Sequence, residues 1–138
     1  MANENLPRVL LADDHPGVIE YVSNLLSKDF EVVGVVSDGL LVADAVKETH
    51  PDLIVMDISM PGLDGIRIAQ SLRRSNDTSK IVFLTVADDE EYISAAFAAG
   101  AAGYVLKARL QSDLIFALNE ALSGRTFVSR RSNPRPGE

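Results

Sequence analysis

The sequence predicts an α/β domain in which a parallel sheet carries helices on both faces. Five short apolar runs alternate with five stretches whose apolar residues recur at helical spacing. Uninterrupted apolar runs bounded by turn residues are typical of strands that are buried on both faces. Strands that alternate with helices across short loops are typical of parallel sheets with right-handed crossovers. With 138 residues, the chain is long enough for one such domain.

The predicted strands are rich in the β-branched residues that favour a pleated sheet. The third strand is entirely apolar and delivers Asp57 directly after its last residue. Turn residues such as Pro61 and Gly62 follow it and break the chain into a loop. The strands are expected at residues 8–12, 31–36, 53–56, 81–85 and 103–106.

The helices are predicted from capping residues at their starts. Asp14 or His15 caps the first helix, with Pro16 at its first position, and Asp38 caps the second. Gly100 and Gly124 are expected to end the fourth and fifth helices, where a left-handed glycine is common. The last three helices are expected to start at Asp64 or Gly65 and to span 88–99 and 110–123.

Each helix is expected to turn one apolar stripe towards the sheet. The stripes of the second, third and fifth helices show this spacing most clearly. They consist of Leu41, Val42, Ala45 and Val46; of Ile66, Ile68, Ala69 and Leu72; and of Leu114, Ile115, Leu118 and Leu122.

Composition excludes several classes of protein. The chain has no cysteine, so disulfides, thiolate metal sites and cysteine nucleophiles are ruled out. The net charge of −7 disfavours direct binding to a nucleic-acid backbone. Neither a membrane span nor a signal peptide is indicated, and we expect a cytoplasmic location. The domain is expected at residues 7–124, with an N-terminal extension at 1–6 and a polar linker or tail at 125–138.

Polar side chains follow four of the predicted strands. Asp13 and Asp14 come after the first, Asp57 after the third, Thr85 ends the fourth, and Lys107 follows the fifth. Taken singly, an acidic pair is usually a helix cap, a threonine a turn residue, and a lysine a solvated charge. Parallel strands, however, present all their carboxyl ends at one edge of the sheet, where ligands bind.

Together these residues predict phosphoryl-transfer chemistry. Three carboxylates at one edge repel each other unless a cation joins them, and Mg²⁺ prefers oxygen ligands. Lys107 adds a positive charge for a phosphoryl oxygen, and Thr85 adds a hydroxyl donor. Asp57 is the best nucleophile candidate, because carboxylates form acyl phosphates and its strand is central.

With these residues the chain resembles a bacterial response-regulator receiver domain. The resemblance rests on Asp13-Asp14, on the stretch 51–57 with Met60-Pro61-Gly62-Leu63-Asp64-Gly65, and on Thr85 and Lys107. It covers roughly residues 7 to 124 and implies a flavodoxin-like sheet of strand order 2-1-3-4-5. It also implies that a histidine kinase or a small phosphodonor phosphorylates Asp57. Catalysis would then be limited to the domain's own phosphorylation and dephosphorylation.

The resemblance implies a metal site and a switch. Asp14, Asp57 and the backbone carbonyl of Ser59 would hold Mg²⁺, with Asp13 reaching it through water. Thr85 would sense the phosphoryl group, and Tyr104 would move into the space that Thr85 leaves. A half-buried Tyr104 with its hydroxyl in water remains the alternative.

The motif Asp13-Asp14-His15-Pro16 and the segment 124–129 resemble the LuxR-type (NarL/FixJ) regulators. This implies a helix-turn-helix output domain, so that DNA would be contacted only outside this segment, and a homodimer through the fourth helix, fifth strand and fifth helix. Val86 stands where the family usually has a small residue, and Ala108 follows Lys107 where many receivers have proline.

Two other functions stay open at this point. One is a stand-alone or degenerate receiver that binds proteins without being phosphorylated. The other is a small flavodoxin-like enzyme that binds a nucleotide or flavin. The second lacks the phosphate-binding Gly/Ser/Thr loop after the first strand.

Overall fold

The fold was analysed in a computed structural model, which describes residues 5–62 and 64–129. Residues 1–4 of the predicted N-terminal extension, Leu63 of the central motif and 130–138 of the predicted tail lie outside the described residues. Over the described ranges the chain forms five α-helices and six strands. The strands are β1 (Arg8–Ala12), β2 (Glu31–Val36), β3 (Leu53–Asp57), β4 (Lys80–Thr85), β5 (Gly103–Leu106) and β6 (Phe127–Val128). The helices are α1 (Pro16–Leu26), α2 (Val42–Thr49), α3 (Gly65–Arg74), α4 (Glu90–Ala98) and α5 (Leu110–Leu122).

All strand pairs are parallel, in the order β2-β1-β3-β4-β5-β6. The predicted fold class is therefore confirmed, and the predicted order 2-1-3-4-5 is contained in the sheet. The short β6 extends it beyond β5. Strands β3 and β5 are buried along their whole length, as expected for strands covered on both faces.

The core has one layer on each face of the sheet. Helices α1 and α5 cover one face, and helices α2, α3 and α4 cover the other. Both layers consist of apolar side chains with almost no exposure, including Leu114 and Leu118 of α5. No helix in the described ranges has the length and apolar character needed to cross a membrane.

The start of the second helix differs from the prediction. Asp38 caps a 3₁₀ turn at Gly39–Leu41, where its side chain accepts a hydrogen bond from the Leu40 amide at 2.8 Å. Helix α2 begins only at Val42. Leu41 was expected in the buried stripe, but 52% of it is exposed, because the tighter turn rotates it away from the sheet. Leu122, at the end of α5, is also 41% exposed.

The expectation that the chain leaves the core at residue 125 is wrong for 127–129. Phe127 and Val128 pair with β5, and the Ser129 amide donates a 2.7 Å hydrogen bond to the Tyr104 carbonyl. The Phe127 ring packs edge-on against Phe116 of α5, with the ring centroids 5.4 Å apart. Ser129 itself is completely buried.

A buried carboxylate anchors this C-terminal segment. Asp113 of α5 has no exposed surface and accepts hydrogen bonds from Arg109 Nε at 2.8 Å, from Ser112 Oγ at 2.9 Å and from the Ser129 hydroxyl. We call these four residues the C-terminal clasp. Burial alone would raise the pKa of Asp113, but the hydrogen bonds from Arg109, Ser129 and Ser112 and the charge of Arg109 hold it below its usual value.

We predict that Asp113→Asn lowers the free energy of unfolding by about 2–3 kcal/mol, because the hydrogen bonds to a buried charge and the ion pair between Asp113 and Arg109 are lost. Ser129→Ala should cost about 1 kcal/mol. Urea denaturation measures both. Glu120→Gln is the matched control, since Glu120 pairs with Arg125 at the exposed end of the same helix and should change little.

The same clasp predicts a dependence on acid. The pKa of Asp113 is lower in the folded chain than in the unfolded chain, so its stabilisation is complete above the ordinary value of 3.8 and is lost as the pH falls through the folded value. The stability gap between wild type and Asp113→Asn should therefore be constant near neutral pH and shrink below about pH 4. A gap that widens in acid would contradict this assignment.

Candidate functional site

The parallel register brings the predicted site residues to one edge of the sheet. Ala12 pairs with Met56, so Asp13 and Asp57 follow adjacent strands at the same level. Thr85 pairs with Leu106, the residue before Lys107. The side chains of Asp13, Asp57 and Lys107 meet there, as the sequence predicted.

Asp57 is held from two sides. It is only 4% exposed; its Oδ1 accepts the Ser59 amide at 3.0 Å, and its Oδ2 lies 3.0 Å from Lys107 Nζ. The loop after Asp57 packs very tightly: a Cβ atom on Gly65 would lie 2.8 Å from the Phe83 ring and 3.0 Å from the Asp57 carbonyl oxygen. Gly62 has a φ of +94°, a conformation that favours glycine. The glycines of the motif therefore shape the loop that carries Ser59.

Lys107 joins two nearly buried carboxylates. Its Nζ lies 3.0 Å from Asp57 Oδ2 and 3.1 Å from Asp13 Oδ2, and only 13% of its side chain is exposed. Burial alone would lower the pKa of Lys107, but the carboxylates of Asp57 and Asp13 raise it overall. The lysine is therefore charged and partly neutralises this edge.

His15 also faces the acidic residues, a contact that the sequence did not predict. Its Nδ1 lies 2.9 Å from Asp13 Oδ1, 3.2 Å from Asp14 Oδ1 and 3.8 Å from Asp57 Oδ2. It does occupy the N-cap position of α1, but its side chain makes no capping hydrogen bond. Its place directly after the Asp13-Asp14 pair was the signal that could have identified it.

These residues fit a divalent cation. One ligand atom each from Asp13, Asp14, His15 and Asp57 lies within 4.8 Å of the others. Asp13 Oδ2 and Asp14 Oδ1 are buried; the former forms an ion pair with Lys107 Nζ at 3.1 Å, and the latter lies 3.2 Å from His15 Nδ1. Carboxylate oxygens that gather in this way are suited to a hard cation. Ser59 lies in the same loop, and the role of its carbonyl as a ligand stays a prediction.

Thr85 and Tyr104 both bind the backbone of Ala87, in the loop after β4. The Ala87 amide donates to Thr85 Oγ1 at 3.1 Å, and the Tyr104 hydroxyl donates to the Ala87 carbonyl at 2.7 Å. Tyr104 is fully buried, so the alternative of a half-buried ring with its hydroxyl in water is wrong.

The pKa of Tyr104 agrees with this buried position. Burial raises it; the hydrogen bond with the Thr85 hydroxyl opposes the rise, and the charges of Asp89 and Asp88 add to it. Because Tyr104 stays neutral, its hydroxyl remains a donor to Ala87. The two side chains therefore hold the loop against the end of the sheet.

Comparison with known proteins identifies the class to which this site belongs. A family model described as "Response regulator receiver domain" matches residues 9–119. The chain therefore belongs to the response-regulator receiver domains, and the predicted family is confirmed.

Its relatives narrow this to NarL-type regulators. The chain is 35% identical over 136 residues to the nitrate/nitrite response regulator protein NarL of Escherichia coli K12, covering 97% of this chain and 63% of that protein. It is 42% identical over 128 residues to the transcriptional regulatory protein YxjL of Bacillus subtilis, covering 91% of this chain and 58% of YxjL. The chain thus spans about three fifths of these relatives.

Solved structures show the same fold. A LuxR-family response regulator from Aurantimonas sp. SI85-9A1 superposes with a TM-score of 0.84 at 32% identity, over 89% of each chain. The isolated receiver domain of RcsB from Salmonella enterica, solved with the phosphomimetic BeF₃⁻, superposes with a TM-score of 0.82 at 29% identity, over 90% of this chain and 94% of that one. The LuxR-type resemblance is therefore confirmed as well.

We predict that Mg²⁺ raises the melting temperature, because a ligand that binds only the folded state stabilises it by about 2.7 kcal/mol at 100 times its dissociation constant. Asp13→Asn and Asp14→Asn should reduce this rise. Differential scanning calorimetry across a MgCl₂ series measures the effect.

Asp29→Asn serves as the control, since Asp29 is exposed in the loop before β2, at the opposite edge of the sheet. Equal Mg²⁺ responses in wild type and both site variants would show that these carboxylates do not hold the ion.

Proposed function

We propose that this domain accepts a phosphoryl group on Asp57. One observation carries the proposal: the nearly buried Asp57 carboxylate is held between the Ser59 amide and Lys107, beside the acidic residues Asp13 and Asp14. The Ser59 amide and Lys107 fix the orientation of the Asp57 carboxylate, and both positive and negative side chains surround it. This arrangement favours attack of a carboxylate oxygen on phosphorus over a purely structural ion pair.

In the proposed reaction, an Asp57 carboxylate oxygen attacks the phosphorus of a phosphohistidine or a small phosphodonor. The new P–O bond forms as the bond to the leaving group breaks, and the leaving group keeps the electron pair and takes up a proton. Lys107 is placed to bind a phosphoryl oxygen as charge moves onto Asp57. When bound by Asp13, Asp14, Asp57 and the Ser59 carbonyl, Mg²⁺ would neutralise the carboxylates and a phosphoryl oxygen.

The proposed phosphodonor protein is a histidine kinase or a phosphotransfer protein. A groove of about 300 Å³ lies directly beside the site, between the start of α1 and the turn after β5. Lys107 and Tyr21 both line it, and Tyr21 is 44% exposed. A helix of the donor that occupies this groove would bring its phosphohistidine next to Asp57, and exposed aromatic residues are common contact points at such surfaces.

Thr85 and Tyr104 are the proposed signal path. Phosphorylation adds about −1.5 to −2 charges next to Lys107. The Thr85 oxygen accepts a hydrogen bond from the Ala87 amide, and the Tyr104 hydroxyl donates one to the Ala87 carbonyl. The Thr85 hydroxyl also has one hydrogen to donate, which a phosphoryl oxygen on Asp57 would accept. Turning Thr85 towards the phosphoryl group would shift the Ala87 loop and the α4 surface next to it.

The surface that switches is proposed to consist of α4, β5 and α5. The short β6 lies beside it, where Phe127 and Val128 pair with Gly103 and Tyr104 of β5. Tyr92 on α4 and Phe116 on α5 stay 49% and 40% exposed. We propose that this surface forms a homodimer and controls a helix-turn-helix, DNA-binding output in the longer protein. RcsB, a structural relative, has been solved as dimers bound to DNA.

A degenerate receiver that only binds proteins is the second candidate. The comparisons do not favour it, and the acidic pair, Asp57, Thr85 and Lys107 are all present. We propose that the domain catalyses only its own phosphorylation and dephosphorylation and acts on no other substrate.

We predict that acetyl phosphate with Mg²⁺ adds one phosphoryl group to the protein and that Asp57→Asn abolishes the addition. Intact-mass spectrometry and a Phos-tag gel follow the product. Asp52→Asn is the matched control, because Asp52 is exposed and lies before β3 at the other edge of the sheet. An unlabelled wild-type protein would favour the protein-binding alternative.

We predict that Val86→Ala speeds both phosphorylation and loss of the phosphoryl group. Val86 directly follows Thr85, and 75% of it is exposed, so its branched side chain obstructs the approach of donor and water to the site. Removing two methyl groups there should cost little stability, since few contacts are lost. Rates that are unchanged in both directions would disprove this role.

We predict that beryllofluoride, a phosphoryl mimic, converts the protein from monomer to dimer in sedimentation velocity. Asp57→Asn should remain a monomer under the same conditions. Tyr92→Glu should also stay monomeric while still taking up a phosphoryl group, since Tyr92 lies on the proposed interface and not in the site. A wild-type protein that stays monomeric would refute the dimer.

A further inference from the structure

We infer that residues 127–129 form a strap that docks more tightly on β5 when the phosphorylation site is occupied, and that the docked strap in turn favours a phosphoryl group on Asp57. This rests on the proposed function and adds a regulatory element to it. A pull on the chain after Ser129 would undock the strap and thereby disfavour the phosphorylated state.

Few contacts hold the strap on β5. The Phe127 amide donates to the Ala102 carbonyl at 3.2 Å, and the Ser129 amide donates to the Tyr104 carbonyl at 2.7 Å. The Ser129 hydroxyl bonds the buried Asp113 carboxylate. The strand β6 itself has only two residues, and both are partly buried. An element with so few contacts opens at a low free-energy cost, so its docking can respond to small shifts of its neighbours.

Tyr104 belongs both to the proposed signal path and to the strap. Its hydroxyl donates to the Ala87 carbonyl at 2.7 Å, and its own carbonyl accepts the Ser129 amide. Val128 packs against the core layer that contains Tyr104, on the face of the sheet that α4 covers. Tyr104 is fully buried in this arrangement. The docked strap therefore stabilises the buried position of Tyr104.

The turn after β5 is a second connection between the site and the strap. Lys107 and Arg109 are the two ends of a single 3₁₀ turn. Lys107 pairs with Asp57, whereas Arg109 pairs with Asp113, the carboxylate that receives the Ser129 hydroxyl. A backbone shift at Lys107 would therefore reach the anchor of the strap within one turn.

The sign of the coupling follows from the direction in which Thr85 turns. When Thr85 turns towards a phosphoryl group, the Ala87 amide that it binds moves with it. The Tyr104 hydroxyl follows the Ala87 carbonyl, so that Tyr104 stays inward. A phosphoryl group and a docked strap thus favour the same position of Tyr104. Two events that stabilise one arrangement favour each other, and by linkage each changes the other's equilibrium by the same factor.

Hydrogen exchange of the Ser129 amide tests this coupling in the full wild-type chain. Beryllofluoride with Mg²⁺ occupies the site, ¹⁹F NMR of the bound fluoride measures the occupancy, and ¹⁵N NMR follows amide exchange. We expect Ser129 exchange to slow by about fivefold at saturation, a factor typical of coupled sites. The Asp52 amide, which donates to the Arg8 carbonyl at the opposite edge of the sheet, is the internal control and should not change.

Reciprocity is tested by undocking the strap. Ser129→Asp places a second carboxylate against the buried Asp113, and the repulsion should undock residues 127–129. Beryllofluoride binding should then weaken by up to the same factor of about five. Ser129→Ala, which removes only one hydrogen bond, should have a smaller effect in the same direction. Ser123→Asp is the matched control, since it makes the same charge change at the exposed end of α5.

Two further variants identify the route. Tyr104→Phe removes the hydroxyl that bonds Ala87 and should abolish most of the slowing of Ser129 exchange. Tyr92→Glu, expected to stay monomeric, should retain the slowing, because the strap responds within one chain. Slowing that disappears in Tyr92→Glu would show that a dimer shields the strap and would overturn the coupling.

The outcomes separate the strap from the proposed function. If the wild-type protein binds beryllofluoride while Ser129 exchange is unchanged or faster, the strap is overturned and Asp57 remains the proposed phosphoacceptor. Unchanged affinity in Ser129→Asp, with rapid exchange of the Phe127 amide as proof of undocking, has the same meaning. Absence of a bound ¹⁹F signal in the wild-type protein would overturn both.

Discussion

Two nearly buried carboxylates share one ammonium group at the edge of the sheet, and the arrangement of the chain depends on that interaction. Asp13 and Asp57 approach each other because β1 and β3 are adjacent parallel strands in register. Like charges at this spacing are costly in a poorly hydrated cleft, and Lys107 offsets the repulsion from the end of β5. Because Lys107 neutralises only part of the carboxylate charge, an added anionic group at this edge would need a further cation beside it.

The strand β5, which ends directly before Lys107, also connects the site to the rest of the surface. Tyr104 lies three residues earlier on β5, bonds the Ala87 loop through its hydroxyl, and bonds Ser129 through its carbonyl. Ser129 in turn bonds the buried Asp113 of α5. A chain of direct contacts therefore runs from the site through β5 to the C-terminal clasp. A continuous chain of contacts can couple the site to the clasp, and double-mutant cycles along it would measure the coupling free energy.

The elements and site residues were predicted correctly where a local sequence pattern determines the structure. Buried β-branched runs and helix caps placed five strands and five helices, and strand ends identified Asp13, Asp57 and Lys107. The burial of single residues was predicted wrongly where it depends on contacts with other elements. Leu41 has the right spacing for a buried stripe, but the 3₁₀ turn before α2 turns it outward. Ser129 follows a strand of two residues, too short to show any periodicity, and it is buried only because Asp113 and β5 receive it.

The amino-acid sequence alone determined the alternation of strands and helices and the chemical identity of the residues at the strand ends, because apolar runs and capping residues are local properties. Only the tertiary structure decided which of these residues meet. The distances from Asp57 to His15 and to Lys107, the burial of Tyr104 and the docking of 127–129 on β5 all depend on residues from different elements. Packing sets them, since a side chain's partners depend on the register of strands that lie far apart along the chain.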